Sequence, residues 1–545
     1  MKLFNSLILL LFISHFTFGQ NLEKQLDTYL NEVYASDKPG ATVMIAKDGK
    51  PIFRKAYGMA DLELGVPMKP DNVFEIGSIT KQFTAVSILM LEEQGKLSVD
   101  DDILKFIPDY PTNGHTITIH HLLNHTSGIK SYTAMESFQK NARVDMSPTE
   151  IIDFFKNEPM DFEPGEQFLY NNSGYIILGH IIEVVSGLSY AEFIEKNIFE
   201  PLGMKNSYYG SMTNLIPNRA SGYQNRDGYV NAEYLSLSLP YAAGSIMSNV
   251  DDLLTWQNAI RDNKLISAET HAKAVHGSEL NDGTHIAYGY GWGENNINGS
   301  KGYQHGGGIF GYTTMGIYLP EEDVYAAILT NCDCDSPGGV TTKILAMAIG
   351  KPYPDVKEAI TLNDGQLKTW VGAYQFEDGA VRFITLENGK LQSQREGSTK
   401  FEIFALDTDY FIFEEGTISY KFSNDGEGKR HVVMSNNGAL STGHEIGREP
   451  PAPKEEISLD ESVLKTYIGK YEMNPEFLIE IRVRAGEIFA QASGQPEFQL
   501  FAEAEDKFFL KVIPAEIEFN KEDSGSVSGM TLMQGGQKIP LKKIE

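Results

Sequence analysis

The chain has 545 residues, of which 41% are apolar, and 74 acidic against 46 basic side chains leave a formal charge of -28. A chain of this length exceeds what one hydrophobic core supports, so about three or four domains are expected. Negative charge on this scale repels nucleic-acid phosphates and anionic lipid, which argues against a polyanion-binding role and reads as the solvating charge of an exported protein.

Residues 1–19 open on Met1-Lys2 and carry an apolar run from Leu7 to Ile13 ahead of Phe18-Gly19. One cation, a run too short to span a bilayer and a terminal small residue read as a cleavable secretory signal, so the mature protein is expected in the periplasm or the medium. No cysteine stands directly after it to take a lipid, and no later stretch is long and apolar enough to cross a membrane. Asn21 to Tyr34 then shows helical spacing. The apolar stretch Ala41 to Ala46, the Asp48-Gly49 turn and Pro51 to Tyr57 read as a hairpin.

The next segment, Phe74-Glu75-Ile76-Gly77-Ser78-Ile79-Thr80-Lys81, is a Gly-Ser turn entering an apolar helix that runs to Glu93, with Gly95 as its stop. Lys81 falls on the same face as Ser78, one turn later. A serine hydroxyl is a poor nucleophile until something takes its proton. A cation in a partly dry site lowers the cost of forming the alkoxide or a neighbouring phenolate, and the helix N-terminus adds positive potential. Ser-x-x-Lys alone also occurs on solvated helix faces, so its companions carry the argument.

In the run His120-His121-Leu122-Leu123-Asn124-His125-Thr126-Ser127-Gly128, His121 and His125 stand four apart and raise a metal question. No Glu follows His121, as the metalloprotease pattern needs, so the expectation is no metal, with His125 and Thr126 bracing a turn. Tyr170-Asn171-Asn172 forms a polar loop ahead of an apolar helix reaching Val185, and Ser248 or Asn249 caps a helix around Leu253 to Ile260. The aromatic-glycine run Tyr288 to Trp292 leads to His305-Gly306-Gly307-Gly308, where the glycines let backbone approach a ligand closely. Strands Thr313 to Leu319 and Val324 to Asn331 and a helix from Val340 to Ile349 close this domain. Cys332 and Cys334, one residue apart on a strand end, would close a strained ring and read as free thiols.

Past Pro352 and Pro354 the texture changes to short alternating strands. Leu367-Lys368-Thr369-Trp370-Val371-Gly372-Ala373-Tyr374 recurs as Leu464-Lys465-Thr466-Tyr467-Ile468-Gly469-Lys470-Tyr471, across a stiff linker, Glu449 to Glu456. The repeat reads as two homologous antiparallel modules of barrel size. The expected divisions are a signal at 1–19, a catalytic domain at 20–355 and β-barrel-like domains at 363–447 and 458–545.

Ser78-x-x-Lys81, Tyr170-x-Asn172 and His305-x-Gly307, in this order, resemble the three motifs of the penicillin-recognising serine hydrolases: class C β-lactamases, D,D-carboxypeptidases, D-aminopeptidases and related esterases. The resemblance spans roughly residues 25–350 and extends to Leu122 to Gly128, Pro164-Gly165, Pro201 to Met204 and Ala243 to Ser248. It implies an α+β fold, with an antiparallel sheet flanked by helices plus a helical subdomain, followed by two small antiparallel β-barrels. It also implies that Ser78 attacks a carbonyl carbon and is acylated. Lys81 and Tyr170 would share the proton, with the formal base left open between them. Asn172 would hold Lys81 and the substrate amide, His305 and Gly307 would orient the substrate, and the backbone N–H groups of Ser78 and Gly308 would form the oxyanion hole. His305 stands where class C β-lactamases generally carry lysine. Histidine there is similar to the carboxypeptidase and D-aminopeptidase branch and orients a substrate without imposing a full positive charge. The twin barrels are similar to the D-aminopeptidase branch as well. The expectation is a cofactor-free serine hydrolase cleaving an amide in a small, D-residue-containing peptide. The alternatives are an esterase or acyl transferase, a weak β-lactamase, or a non-catalytic receptor for cell-wall fragments.

Overall fold

The computed structural model describes residues 21–544 except 136, 212, 427, 450–455, 475–476, 494–495, 512–514, 523–524 and 535–536. The expected signal at 1–19 lies outside the described residues. The chain divides into two compact units, one ending at Tyr353 and the other starting at Pro354.

The first unit is built on six strands: β1 (Ala41–Lys47), β2 (Lys50–Tyr57), β3 (Gly293–Ile297), β4 (Ser300–Ile309), β5 (Tyr312–Leu319) and β6 (Val324–Thr330). They form one sheet in the order β3-β4-β5-β6-β1-β2. Every neighbouring pair is antiparallel, and β1 joins β6 from Ala41↔Thr330 to Lys47↔Val324, so the two ends of this unit's chain meet in the middle of the sheet. Val43 and Ile45 pack on one face with Leu26 and Leu30 of helix α1 (residues 21–33) and Ile344 of helix α5 (Gly338–Ala348), while Met44 and Ala46 pack on the other. Both faces of β1 are therefore covered. That is why this segment is apolar throughout instead of alternating.

The second face carries the helical layer: α2 (Thr80–Glu93), α3 (Asn172–Ser186) and α4 (Val250–Arg261). Asn171 caps α3 by accepting from the Gly174 N–H at 2.9 Å. Asn249, not Ser248, caps α4, accepting from the Asp252 N–H at 2.9 Å. These caps satisfy backbone donors that helix geometry leaves open. Among the described residues no single helix is long and apolar enough to cross a membrane.

One expectation is corrected here. Cys332 and Cys334 form a disulfide, their Cα atoms 5.1 Å apart. The ladder of β6 ends at Thr330, and the chain bends through 332–335, so the two Cα atoms come closer than the roughly 6.6 Å that residues two apart keep on an extended strand.

The second unit holds two closed antiparallel barrels of eight strands each, running from Gly372–Phe376 to Ala439–Ile446 and from Gly469–Asn474 to Gln537–Lys543. The repeated segment does the same work in each. The Tyr374 hydroxyl donates to the Trp370 carbonyl at 2.9 Å, and that of Tyr471 to the Tyr467 carbonyl at 2.7 Å. Trp370 Nε1 donates to Thr408 O and the Tyr467 hydroxyl to Glu505 O, each at 2.7 Å and each 38 residues on. The repeated segment thus carries the same buried hydrogen bonds in both barrels.

Candidate active site

Ser78 sits in a single 3₁₀ turn, Gly77–Ile79, between the short strand Phe74–Glu75 and helix α2. Gly77 has φ of +52°, and a Cβ there would lie 2.9 Å from the Gly308 nitrogen, so the serine turn abuts β4 backbone to backbone. A Cβ on Gly307 would collide with the Ile76 carbonyl oxygen, which accepts from Thr314 Oγ1 at 3.0 Å. Gly308 differs: a Cβ there meets nothing within 4 Å. Gly77 and Gly307 thus let the two backbones meet, while Gly308 opens onto a cavity that Ser78 also lines. β3 pairs with β4 only as far as Gln304, so from His305 to Ile309 the strand is an edge, and its Gly308 and Ile309 line that cavity.

Lys81 is completely buried. Its Nζ lies 3.1 Å from Ser78 Oγ, 2.8 Å from Asn172 Oδ1 and 2.9 Å from the Ala243 carbonyl oxygen. It makes no ion pair among the described residues, and burial pushes its pKa well below the ordinary lysine value. Asn172 is the first residue of α3, and its Nδ2 donates to Thr133 Oγ1 at 3.1 Å, which orients Oδ1 toward Lys81.

Tyr170 keeps 37% of its surface exposed, with Lys81 Nζ 4.8 Å from its ring centroid. Burial of its hydroxyl pushes the pKa up, and a hydrogen bond with Ser78 pulls it down. His125 places it. The His125 carbonyl accepts from the Leu169 N–H at 3.0 Å, its Nδ1 accepts from the Asn171 N–H at 3.1 Å, and its ring lies 4.3 Å from that of Tyr170. The bracing role expected for His125 is therefore a bracket on both sides of Tyr170, made by a residue at φ of +62°. His121 does not share a face with it. The helix Ile119–Leu123 ends between them, and His121 Nδ1 accepts from the Thr118 N–H at 3.2 Å as part of that helix's cap.

His305 is buried, with Nδ1 donating to the Gly306 carbonyl at 2.6 Å and Nε2 accepting from the Tyr288 hydroxyl at 2.8 Å. Burial and the nearby Lys81 push its pKa down to about 3, against the Gly306 hydrogen bond, so the ring is neutral. Both ring nitrogens are engaged within the protein. Tyr288, whose ring is 4.8 Å from His125 and 6.2 Å from Tyr170, links His305 to the tyrosine loop. Sequence reasoning assigned no role to Tyr288, Thr133 or the Ala243 carbonyl. The aromatic-glycine run flagged the first, whereas a backbone acceptor leaves no mark in a sequence.

A nucleophile-ready serine against a buried amine, at the seam between a helical layer and the open edge of an antiparallel sheet, defines a serine hydrolase of the β-lactamase and penicillin-binding-protein type. The chain belongs to the Beta-lactamase family, whose model matches residues 20–349; a domain of unknown function, DUF3471, matches residues 453–543. It is 28% identical over 444 residues to Penicillin-binding protein 4* of Bacillus subtilis, covering 77% of this chain and 98% of that one. It is also 25% identical over 323 residues to the D-aminopeptidase of Gluconobacter oxydans, covering 58% and 60%. The structure of the octameric penicillin-binding protein homologue from Pyrococcus abyssi superposes with a TM-score of 0.55 at 29% identity, covering 77% of this chain and 99% of that one.

Proposed function

We propose that the protein works outside the cytoplasm, cleaving an amide of a small peptide that contains a D-residue through an acyl-enzyme on Ser78. The observation that carries this is the environment of Lys81 Nζ. A neutral amine has two N–H donors and one lone pair. Asn172 Oδ1 and the Ala243 carbonyl are both acceptors and take the two donors, which leaves the lone pair for the Ser78 hydroxyl proton. Burial lowers the pKa of the amine and so favours its unprotonated form, which supports Lys81 as the base for acylation. Tyr170, bonded to Ser78 and beside Lys81, passes the proton to the leaving amine and later draws it from water for deacylation. The N–H groups of Ser78 and Gly308, on backbones held together at Gly77, stabilise the oxyanion. His305 and Gly307 act through position: His305 steadies Tyr288, and Gly307 lets β4 close on the serine turn.

The similarity to penicillin-binding proteins and a D-aminopeptidase supports an amide substrate with a D-residue. The Cys332–Cys334 disulfide supports an oxidising compartment. Intact-mass measurement after exposure to a fluorophosphonate and to a penicillin tests the mechanism: a single adduct on Ser78, absent from Ser78→Ala, is expected. Ser78→Ala should lower turnover by at least about 10⁴-fold. Absence of any adduct on the intact protein refutes the acyl-enzyme. Turnover of p-nitrophenyl esters with none of D-amino acid anilides would replace the amide reading by an esterase.

A further inference from the structure

The cavity that Ser78 lines has a volume of about 440 Å³. Its walls are mostly apolar, with Tyr132, Phe138, Leu235 and Phe310 among them, and among the described residues Asp333 is the sole charged side chain on its lining. Lys81 stands behind Ser78, buried and spent on its three contacts, so among the described residues no lysine or arginine lines the cavity. Asp333 is firmly held: its Oδ2 accepts from Gln224 Nε2 at 2.8 Å and from the Gly311 N–H at 3.0 Å, and its own N–H donates to the Tyr223 carbonyl. Its Oδ1 accepts no hydrogen bond among the described residues, and Asp333 is one of the residues lining the cavity. The disulfide between Cys332 and Cys334 ties the chain immediately on either side of it.

We propose, resting on the hydrolase reading above, that Asp333 is the subsite for a substrate ammonium group, so that the preferred substrate carries a free amino group near the scissile carbonyl. A carboxylate with one oxygen fixed by two neutral donors and the other left without a donor, on the wall of a mostly apolar chamber, is preorganised for a charge-assisted hydrogen bond. In such surroundings a cation is drawn in, whereas a substrate carboxylate meets repulsion with no compensating cation. Phe138, Leu235 and Phe310 supply the apolar walls for the side chain of the residue that bears the amine.

The test compares D-alanine p-nitroanilide with its N-acetyl derivative, on the intact protein and on Asp333→Asn. The intact protein should prefer the free amine at least tenfold in kcat/KM, and the preference should fall on the alkaline side as the substrate ammonium loses its proton. In Asp333→Asn the ratio between the two substrates should drop about tenfold, chiefly through KM for the free amine. D-Alaninamide should compete with p-nitrophenyl acetate for the intact protein more strongly than N-acetyl-D-alaninamide does, a measurement independent of whether the variant folds. Equal or better turnover of the acetylated substrate by the intact protein, or an unchanged ratio in Asp333→Asn, overturns the subsite. Failure of Ser78 to form an adduct overturns the hydrolase reading itself and is told apart by the mass measurement.

Discussion

The role of base proposed for Lys81 rests on its burial, and that burial has a thermodynamic cost. In the unfolded chain the amine carries its proton up to an ordinary lysine pKa, while in the folded protein burial holds it neutral well below that value. Between the two, the unfolded state binds one more proton, so stability rises with pH. Replacing Lys81 by Met removes this term. Chemical denaturation from pH 7 to 10 should show the intact protein gaining on Lys81→Met by up to about 1.4 kcal/mol per pH unit; parallel curves would mean that Lys81 is charged in the fold. The same pKa sets activity: kcat/KM should fall as pH drops through the lowered pKa of Lys81. His305 should add no inflection between pH 5 and 8, since its ring is already neutral there.

The elements bring the site together from four places in the chain: the serine turn, the loop before α3, the turn at Ala243 and the edge of β4. Gly77 is where the first and last of these touch. Gly77→Ala would force a side chain into a left-handed backbone, at about 1–2 kcal/mol, and press it on the Gly308 peptide. The expected result is a lowered Tm together with a fall in kcat of about 10²-fold, because the two oxyanion N–H groups separate. A drop in Tm with kcat unchanged would show that these backbones do not share the oxyanion. Motif residues such as Ser78, Lys81, Tyr170 and Asn172 were legible because their chemistry repeats at set spacings. Tyr288 and Asp333 were not, since each acquires meaning only from a neighbour far along the chain: His305 for the first, Gln224 and Gly311 for the second.

At the scale of the molecule, every residue argued to act on the substrate lies in the unit ending at Tyr353, and that unit has its own sheet and its own apolar cores. A fragment of residues 20–353 should therefore fold and take a fluorophosphonate on Ser78; loss of labelling in a folded fragment would show that the barrels complete the site. By itself the sequence determined the α+β class and the twin barrels and brought Ser78 and Lys81 forward as candidates, because periodicity, repeats and short motifs are local properties that survive in one dimension. Tertiary structure alone decided that Lys81 is buried, that His305 turns inward to Tyr288, that Cys332 and Cys334 are joined and that Asp333 lines the cavity. Burial, a bend in the chain and a contact across more than a hundred residues are made only when the layers close on one another.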